Sequence, residues 1–89
     1  EALGYGNFTN ARDISALHIS RAEKENLELL KGENAEAEAY DDHALHYTEH
    51  VRFLLSEEFA SRGNEEAKKR IEEHMRKHKY YLSKEKGEV

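Results

Sequence analysis

The sequence contains no cysteine and no proline, and it is poor in the large apolar residues that fill protein cores. Without cysteine the chain has no disulfide to stabilise it. Leu, Ile, Val and Phe together account for only 17 of the 89 residues, a content at the edge of the range in which chains fail to pack alone. We expect one small folded domain with a thin core, supplemented by oligomerisation or a metal ion.

Two further absences exclude broad classes of function. No apolar run approaches the ~18 residues of a membrane span, so we expect no contact with a membrane. The chain has 14 Lys and Arg residues and 19 acidic residues. This excess of acidic residues argues against direct binding of nucleic acid, because such binding needs a basic face. The chain begins with glutamate and its only methionine is Met75, so we expect it to be part of a longer protein.

Glycines divide the chain into helix-length segments. Gly32 and the Gly63-Asn64 pair are the strongest interior breaks, and they predict an all-α domain with helices at about 11–31, 42–61 and 65–82. The short turn at Gly63 predicts that the last two helices form an antiparallel αα-hairpin, with helix 1 packed across it or exchanged with a neighbouring copy. Residues 33–40 are expected to form an extended arm or a solvated loop, and the tail after Leu82 is expected to fray.

The stretch YDDHALHYTEHVRFLL, residues 40–55, carries three of the six histidines. At helical spacing all three, at 43, 46 and 50, fall within the apolar stripe of the second helix. In a hairpin centred near Arg62, His46 faces His78 and His50 faces His74. The sequence therefore predicts that two His-x-x-x-His pairs meet between facing helices.

Besides a role facing a partner outside the hairpin, two interpretations of these pairs stay open. Four converging imidazoles suit Zn²⁺, Cu²⁺ or Ni²⁺, which makes His46, His50, His74 and His78 candidate metal ligands. Further ligands or hydrogen-bond acceptors would come from three nearby carboxylates, Asp42, Glu49 and Glu73. The alternative, which we favour from sequence, is a hydrogen-bonded histidine layer without metal. We expect no enzymatic activity, because the sequence has no nucleophile-elbow motif around a serine and no glycine-rich motif of the kind that binds phosphate.

A longer stretch, RAEKENLELLKGENAEAEAYDDHALHYTEHVRFLLS, resembles the C-terminal region of portal proteins from tailed phages and prophages. The likeness consists of a Glu/Asn-rich helix, a Lys-Gly-Glu turn, a short arm and an Asp-x-His-x-x-His-x-x-x-His helix, and it covers roughly residues 14–55. The positions that match the last motif are Asp42, His43, His46 and His50.

The resemblance implies a structural and assembly role. Portal proteins are ring-shaped homo-oligomers through which DNA enters and leaves the capsid, driven by a separate terminase motor. The chain would then be a helical part of such a ring, located in the bacterial cytoplasm or in the virion, with capsid or terminase components as partners. The matched residues would form a buried polar helix face near subunit contacts. The alternatives are a metal-binding helical bundle and a generic bacterial interaction domain.

Overall fold

The computed structural model describes residues 11–85 and residue 87, and all regular structure in that part of the chain is helical. Four helices follow one another: α1 (Ala11–Lys31), α2 (His43–Leu54), α3 (Glu57–Arg62) and α4 (Glu65–Glu85). Among the described residues, no helix combines the length and the apolar character needed to cross a bilayer. The predicted all-α class is confirmed.

The end of α1 follows from one glycine. Gly32 has a φ of +99°, a left-handed conformation that residues with a side chain rarely adopt. It allows the chain to fold back, so that the Gly32 N–H donates to the Leu29 carbonyl at 3.3 Å and the Glu33 N–H donates to the Glu28 carbonyl at 2.9 Å. This pair of bonds is a Schellman motif, and it ends the helix at Lys31, as the sequence predicts.

The predicted second helix, 42–61, is instead two helices. Asp42 begins α2 by accepting a hydrogen bond from the Leu45 N–H at 3.2 Å. The helix is interrupted at Leu55 and Ser56, where the Ser56 hydroxyl donates to the Phe53 carbonyl at 2.6 Å and accepts from the Phe59 N–H at 3.2 Å. A serine that bonds the backbone on both sides competes with a continuous helix and begins a new one. The prediction of three helices was therefore wrong.

The last helix begins where predicted and ends later. The Asn64 side chain accepts from the Ala67 N–H at 2.8 Å and caps α4, which continues to Glu85 rather than ending near Leu82. Tyr81 stacks on His43 of α2 with ring centroids 4.5 Å apart. This contact holds the last turns of α4 against α2, and residues 83–85, which were predicted to fray, are helical. Residues 86, 88 and 89 of the predicted tail lie outside the described residues.

The helices enclose a small apolar cluster beside a larger polar one. Helix α2 packs against both α1 and α4, α1 also packs against α4, and α3 contacts α2. The apolar cluster consists of Leu29, Phe53, Ile71 and Met75. Residues 33–42 form neither helix nor strand, yet Ala35 packs against the apolar cluster and Asp41 is buried. Residues 33–40 therefore form the predicted loop rather than an extended arm, and the segment touches the bundle at Ala35 and Asp41.

Because the apolar cluster is small, each of its members should matter for stability. We expect Ile71→Ala to lower the free energy of unfolding by about 2–5 kcal/mol, since Ile71 is fully buried and its truncation leaves a cavity. Leu55→Ala is the matched control, because Leu55 is 82% exposed, and it should change stability by less than about 0.5 kcal/mol. Urea denaturation measures both values, and equal effects would contradict the assignment of the core.

Candidate metal centre

Five of the six histidines are buried between the helices. They are His43, His46 and His50 on α2 and His74 and His78 on α4. The ring centroids of His46 and His78 lie 4.8 Å apart, as do those of His50 and His74. These are the two facing pairs that the spacing predicts.

The centre of the cluster is a carboxylate from α1. Glu25 is only 5% exposed, and its Oε1 lies 3.1 Å from His46 Nδ1, 3.1 Å from His74 Nε2 and 3.3 Å from His50 Nε2. One oxygen of one acidic residue thus contacts imidazoles from two other helices. Glu25 joins α1, α2 and α4 at a single point.

The far nitrogens of two imidazoles have fixed roles. His74 Nδ1 donates to the Ala35 carbonyl at 2.9 Å, because a carbonyl oxygen can only accept. The Asn26 amide nitrogen donates to Glu49 Oε2 at 3.3 Å, which turns the Asn26 oxygen toward His50 Nδ1 at 2.6 Å. In the neutral form of His50 and of His74, the proton is therefore on Nδ1. Their Nε2 lone pairs then point at Glu25.

Four potential ligand atoms converge at this point. One oxygen of Glu25 and one nitrogen each from His50, His74 and His78 all lie within 4.8 Å of one another. His74 Nε2 is 3.0 Å from His78 Nε2, whose Nδ1 is 2.9 Å from His43 Nδ1. These residues form the first site.

The pKa values of several groups at the first site are shifted from their ordinary values. Burial disfavours the ionised form of Glu25, but its contacts with His46, His50 and His74 outweigh burial and bring its pKa far below the ordinary value. Burial, together with repulsion from the other imidazoles, lowers the pKa of His78 to about 3. Burial also lowers the pKa of His50. At neutral pH the site therefore presents one carboxylate to uncharged imidazoles at positions 50 and 78.

A second group of ligand atoms lies beside the first. His18, Asp41 and His46 each place one ligand atom within 4.8 Å of the other two. Their segments are α1, the irregular stretch before α2, and α2 itself. These residues form the second site.

The candidate residues from the sequence are distributed between these groups. His50, His74 and His78 lie in the first site, whereas His46 lies in the second and hydrogen-bonds Glu25. His43 is a neighbour of His78. Of the three carboxylates suggested from sequence, Glu49 is an acceptor behind the site, since it binds the Asn26 amide that holds His50, and it also pairs with Arg52. Asp42 instead caps α2, and Glu73 pairs with Arg76 at the surface.

The sequence interpretation missed Glu25, Asn26 and Asp41. Glu25 had a detectable signal, because it lies at helical spacing with His18, Ala22 and Leu29 on the inward stripe of α1. A carboxylate in an apolar stripe needs a buried partner that carries positive charge or donates a hydrogen bond. Asp41 had none, since the irregular segment 33–42 brings it inward.

Comparison with known proteins gives no match. No protein-family model, no curated protein and no solved structure is similar to this chain. The function is therefore inferred from the geometry of the buried cluster.

The lowered pKa values of His78 and Glu25 predict acid sensitivity for protein kept in chelator. In the unfolded chain His78 takes up a proton near its ordinary pKa of 6.5, whereas in the folded protein it does so only near 3. The unfolded state therefore binds more protons between these values, and stability must fall as the pH drops through this window. Glu25, also lowered, adds to the loss below its ordinary value of 4.5.

Urea midpoints measured with chelator at several pH values between 7 and 4 test this prediction. The midpoint should fall steadily, and the fall should be smaller in His78→Gln, which lacks one of the titrating groups. A constant midpoint across this range would contradict the buried, uncharged state of His78.

Proposed function

We propose that the protein is a metal-binding helical bundle that holds a divalent transition-metal ion at the first site, with Glu25, His50, His74 and His78 as ligands. The observation that carries the proposal is the convergence of three imidazole nitrogens and one carboxylate oxygen, all buried, from three helices. An ion at this point would connect α1, α2 and α4. It would also supply the stability that a thin apolar core lacks.

The distances between the donor atoms support a tetrahedral site. Ligands about 2.0–2.1 Å from Zn²⁺ lie roughly 3.3 Å apart at the corners of a tetrahedron. Glu25 Oε1 is 3.1 Å from His74 Nε2 and 3.3 Å from His50 Nε2, and the two Nε2 atoms of His74 and His78 are 3.0 Å apart. Three of the six edges of the tetrahedron are therefore close to this length.

The contact between Glu25 and His50 also favours an ion over a hydrogen bond. Neutral His50 turns the lone pair of its Nε2 toward a carboxylate oxygen of Glu25, which is an acceptor as well, and this nitrogen is buried without a hydrogen-bond partner. A cation between these two atoms turns their repulsion into ligand bonds. Protonated histidines would do so too, but burial lowers the pKa of His50 and works against its charge.

The residues around the ligands are those that support metal-bound histidines. His74 Nδ1 is held by the Ala35 carbonyl and His50 Nδ1 by the Asn26 side chain. Such bonds fix the ring orientation and leave the opposite nitrogen for the ion. Imidazole and carboxylate ligands in a tetrahedron suit Zn²⁺ best, with Cu²⁺ and Ni²⁺ as competitors.

An ion can reach the first site from the surface. A depression of about 270 Å³ opens beside Glu25, and its lining carries four glutamates, at positions 25, 28, 36 and 38, against Arg21 and Lys24. The net negative lining attracts cations. Glu25 itself lines this depression and is slightly accessible.

Thermal unfolding with and without zinc tests the proposal. Zinc at 100 times its dissociation constant should stabilise the fold by ~2.7 kcal/mol, which raises the melting temperature by roughly 10 °C or more in a domain of this size, and chelator should reverse the rise. Glu25→Gln and His78→Gln should each abolish most of the rise, because each removes a ligand.

Glu23→Gln is the matched control for Glu25→Gln, because Glu23 lies at an exposed position of α1. It should keep the full zinc response. A wild-type melting temperature that zinc and chelator leave unchanged would exclude the metal site. Far-UV circular dichroism establishes that each variant is folded.

Three predictions from the sequence stay proposals: the role of a portal assembly module, which rests on the resemblance, the antiparallel packing of α2 against α4, and the absence of catalysis. One observation favours association with further copies. Four large apolar residues of α1 are between 39% and 50% exposed: Ile14, Leu17, Ile19 and Leu27. A copy that packs against α1 would remove part of this apolar surface from water.

Light scattering over a range of concentrations tests this assembly role. The measured mass should rise with concentration, and Leu17→Lys, which places a charge on the most exposed of the four, should shift the equilibrium toward the monomer. Thr48→Lys, a change at an exposed position of α2, is the control and should leave the mass unchanged. A monomer at every concentration would exclude assembly through α1.

A further inference from the structure

We infer that the protein binds a second metal ion at the second site, formed by His18, Asp41 and His46, so that the complete centre holds two ions side by side. The inference adds one more ion to the proposed function, at a different position. It rests on that function in one respect, since Glu25 serves both sites.

The second site contains buried acceptors with no hydrogen-bond donor. Asp41 Oδ2 accepts from the Glu38 N–H at 2.8 Å, whereas Asp41 Oδ1 is buried without a hydrogen bond. His46 Nε2, 3.9 Å from that oxygen, is also buried and unpartnered. Both side chains have no exposed surface. Two buried acceptors that face each other require a cation or a donor between them.

Hydrogen bonding assigns the lone pairs of the two histidines. His46 Nδ1 donates to Glu25 Oε1 at 3.1 Å, since a carboxylate can only accept, and this leaves the lone pair of neutral His46 on Nε2. The Asp42 N–H points at His18 Nδ1 across 3.5 Å, which places the lone pair of His18 on Nδ1. A bond that long is weak, so little is lost when this nitrogen turns to an ion.

Glu25 connects the two sites. Its Oε1 is a ligand atom of the first site and also the acceptor for His46 Nδ1. A carboxylate that binds the far side of a ligand imidazole fixes its orientation and makes its other nitrogen a better donor. Glu25 Oε1, which would bind the first ion, therefore also orients His46 so that its Nε2 can bind the second.

Arg21 marks this location as one that attracts positive charge. Its Nε lies 3.3 Å from Asp41 Oδ1 and 3.5 Å from Glu25 Oε2, yet this nitrogen makes no hydrogen bond to either. The side chain is 36% exposed and its guanidinium lies 5.6 Å from the Tyr40 ring centroid, at the rim. It can turn toward solvent, and an ion coordinated by Asp41 would then replace it as the counter-charge.

Counting zinc tests the inference. After equilibrium dialysis against buffered free zinc, elemental analysis of the wild type should give two ions per chain. Asp41→Asn and His18→Gln should each give one, because they remove a ligand of the second site only. Glu33→Gln is the control, since the Glu33 side chain is exposed, and it should still give two. Circular dichroism confirms the fold of each variant.

The possible counts separate the two proposals. One ion in the wild type and one in Asp41→Asn would overturn the second site and leave the proposed function standing. No zinc in the folded wild type would overturn both. Two ions in the wild type and in both variants would mean that the additional ion binds elsewhere on the surface, which also overturns the second site.

Discussion

The buried carboxylate of Glu25 is the interaction on which the rest of the structure depends. It is the point where α1 meets both α2 and α4, through His46, His50 and His74. A buried negative charge is costly unless it is paired and hydrogen-bonded, and the close partners of Glu25 are these three imidazoles and the guanidinium of Arg21. The orientation of those rings, and so the packing of three helices, follows from satisfying this one group.

The polar centre explains why the apolar cluster is small. Leu29, Phe53, Ile71 and Met75 fill one part of the bundle, while the histidines fill the space where a larger domain would place aliphatic side chains. A polar layer stabilises a fold only when every member is satisfied. Asn26 and Ala35 satisfy the outer nitrogens, and the inward-facing atoms are those that metal ions would satisfy. Low apolar content and the buried centre are therefore two aspects of the same design.

Much of this could be predicted from the sequence, and the failures have physical causes. The end of α1 follows from Gly32, and the facing pairs His46 with His78 and His50 with His74 follow from helical spacing. The break at Ser56 was missed, because the helical pattern continues across it and only the hydroxyl bonds of Ser56 interrupt the backbone. Asp41 was missed because its burial depends on tertiary packing of an irregular segment. Histidines and helices were thus predictable, whereas the carboxylates that organise them were not.

The central claim is that a transition-metal ion lies among Glu25, His50, His74 and His78. X-ray absorption at the zinc edge tests it most directly, on protein loaded with one equivalent of zinc. The account predicts a four-coordinate ion with nitrogen and oxygen ligands at about 2.0–2.1 Å and the outer-shell scattering of imidazole rings, which should weaken in His50→Gln. A six-coordinate shell of oxygen atoms without imidazole scattering would contradict it.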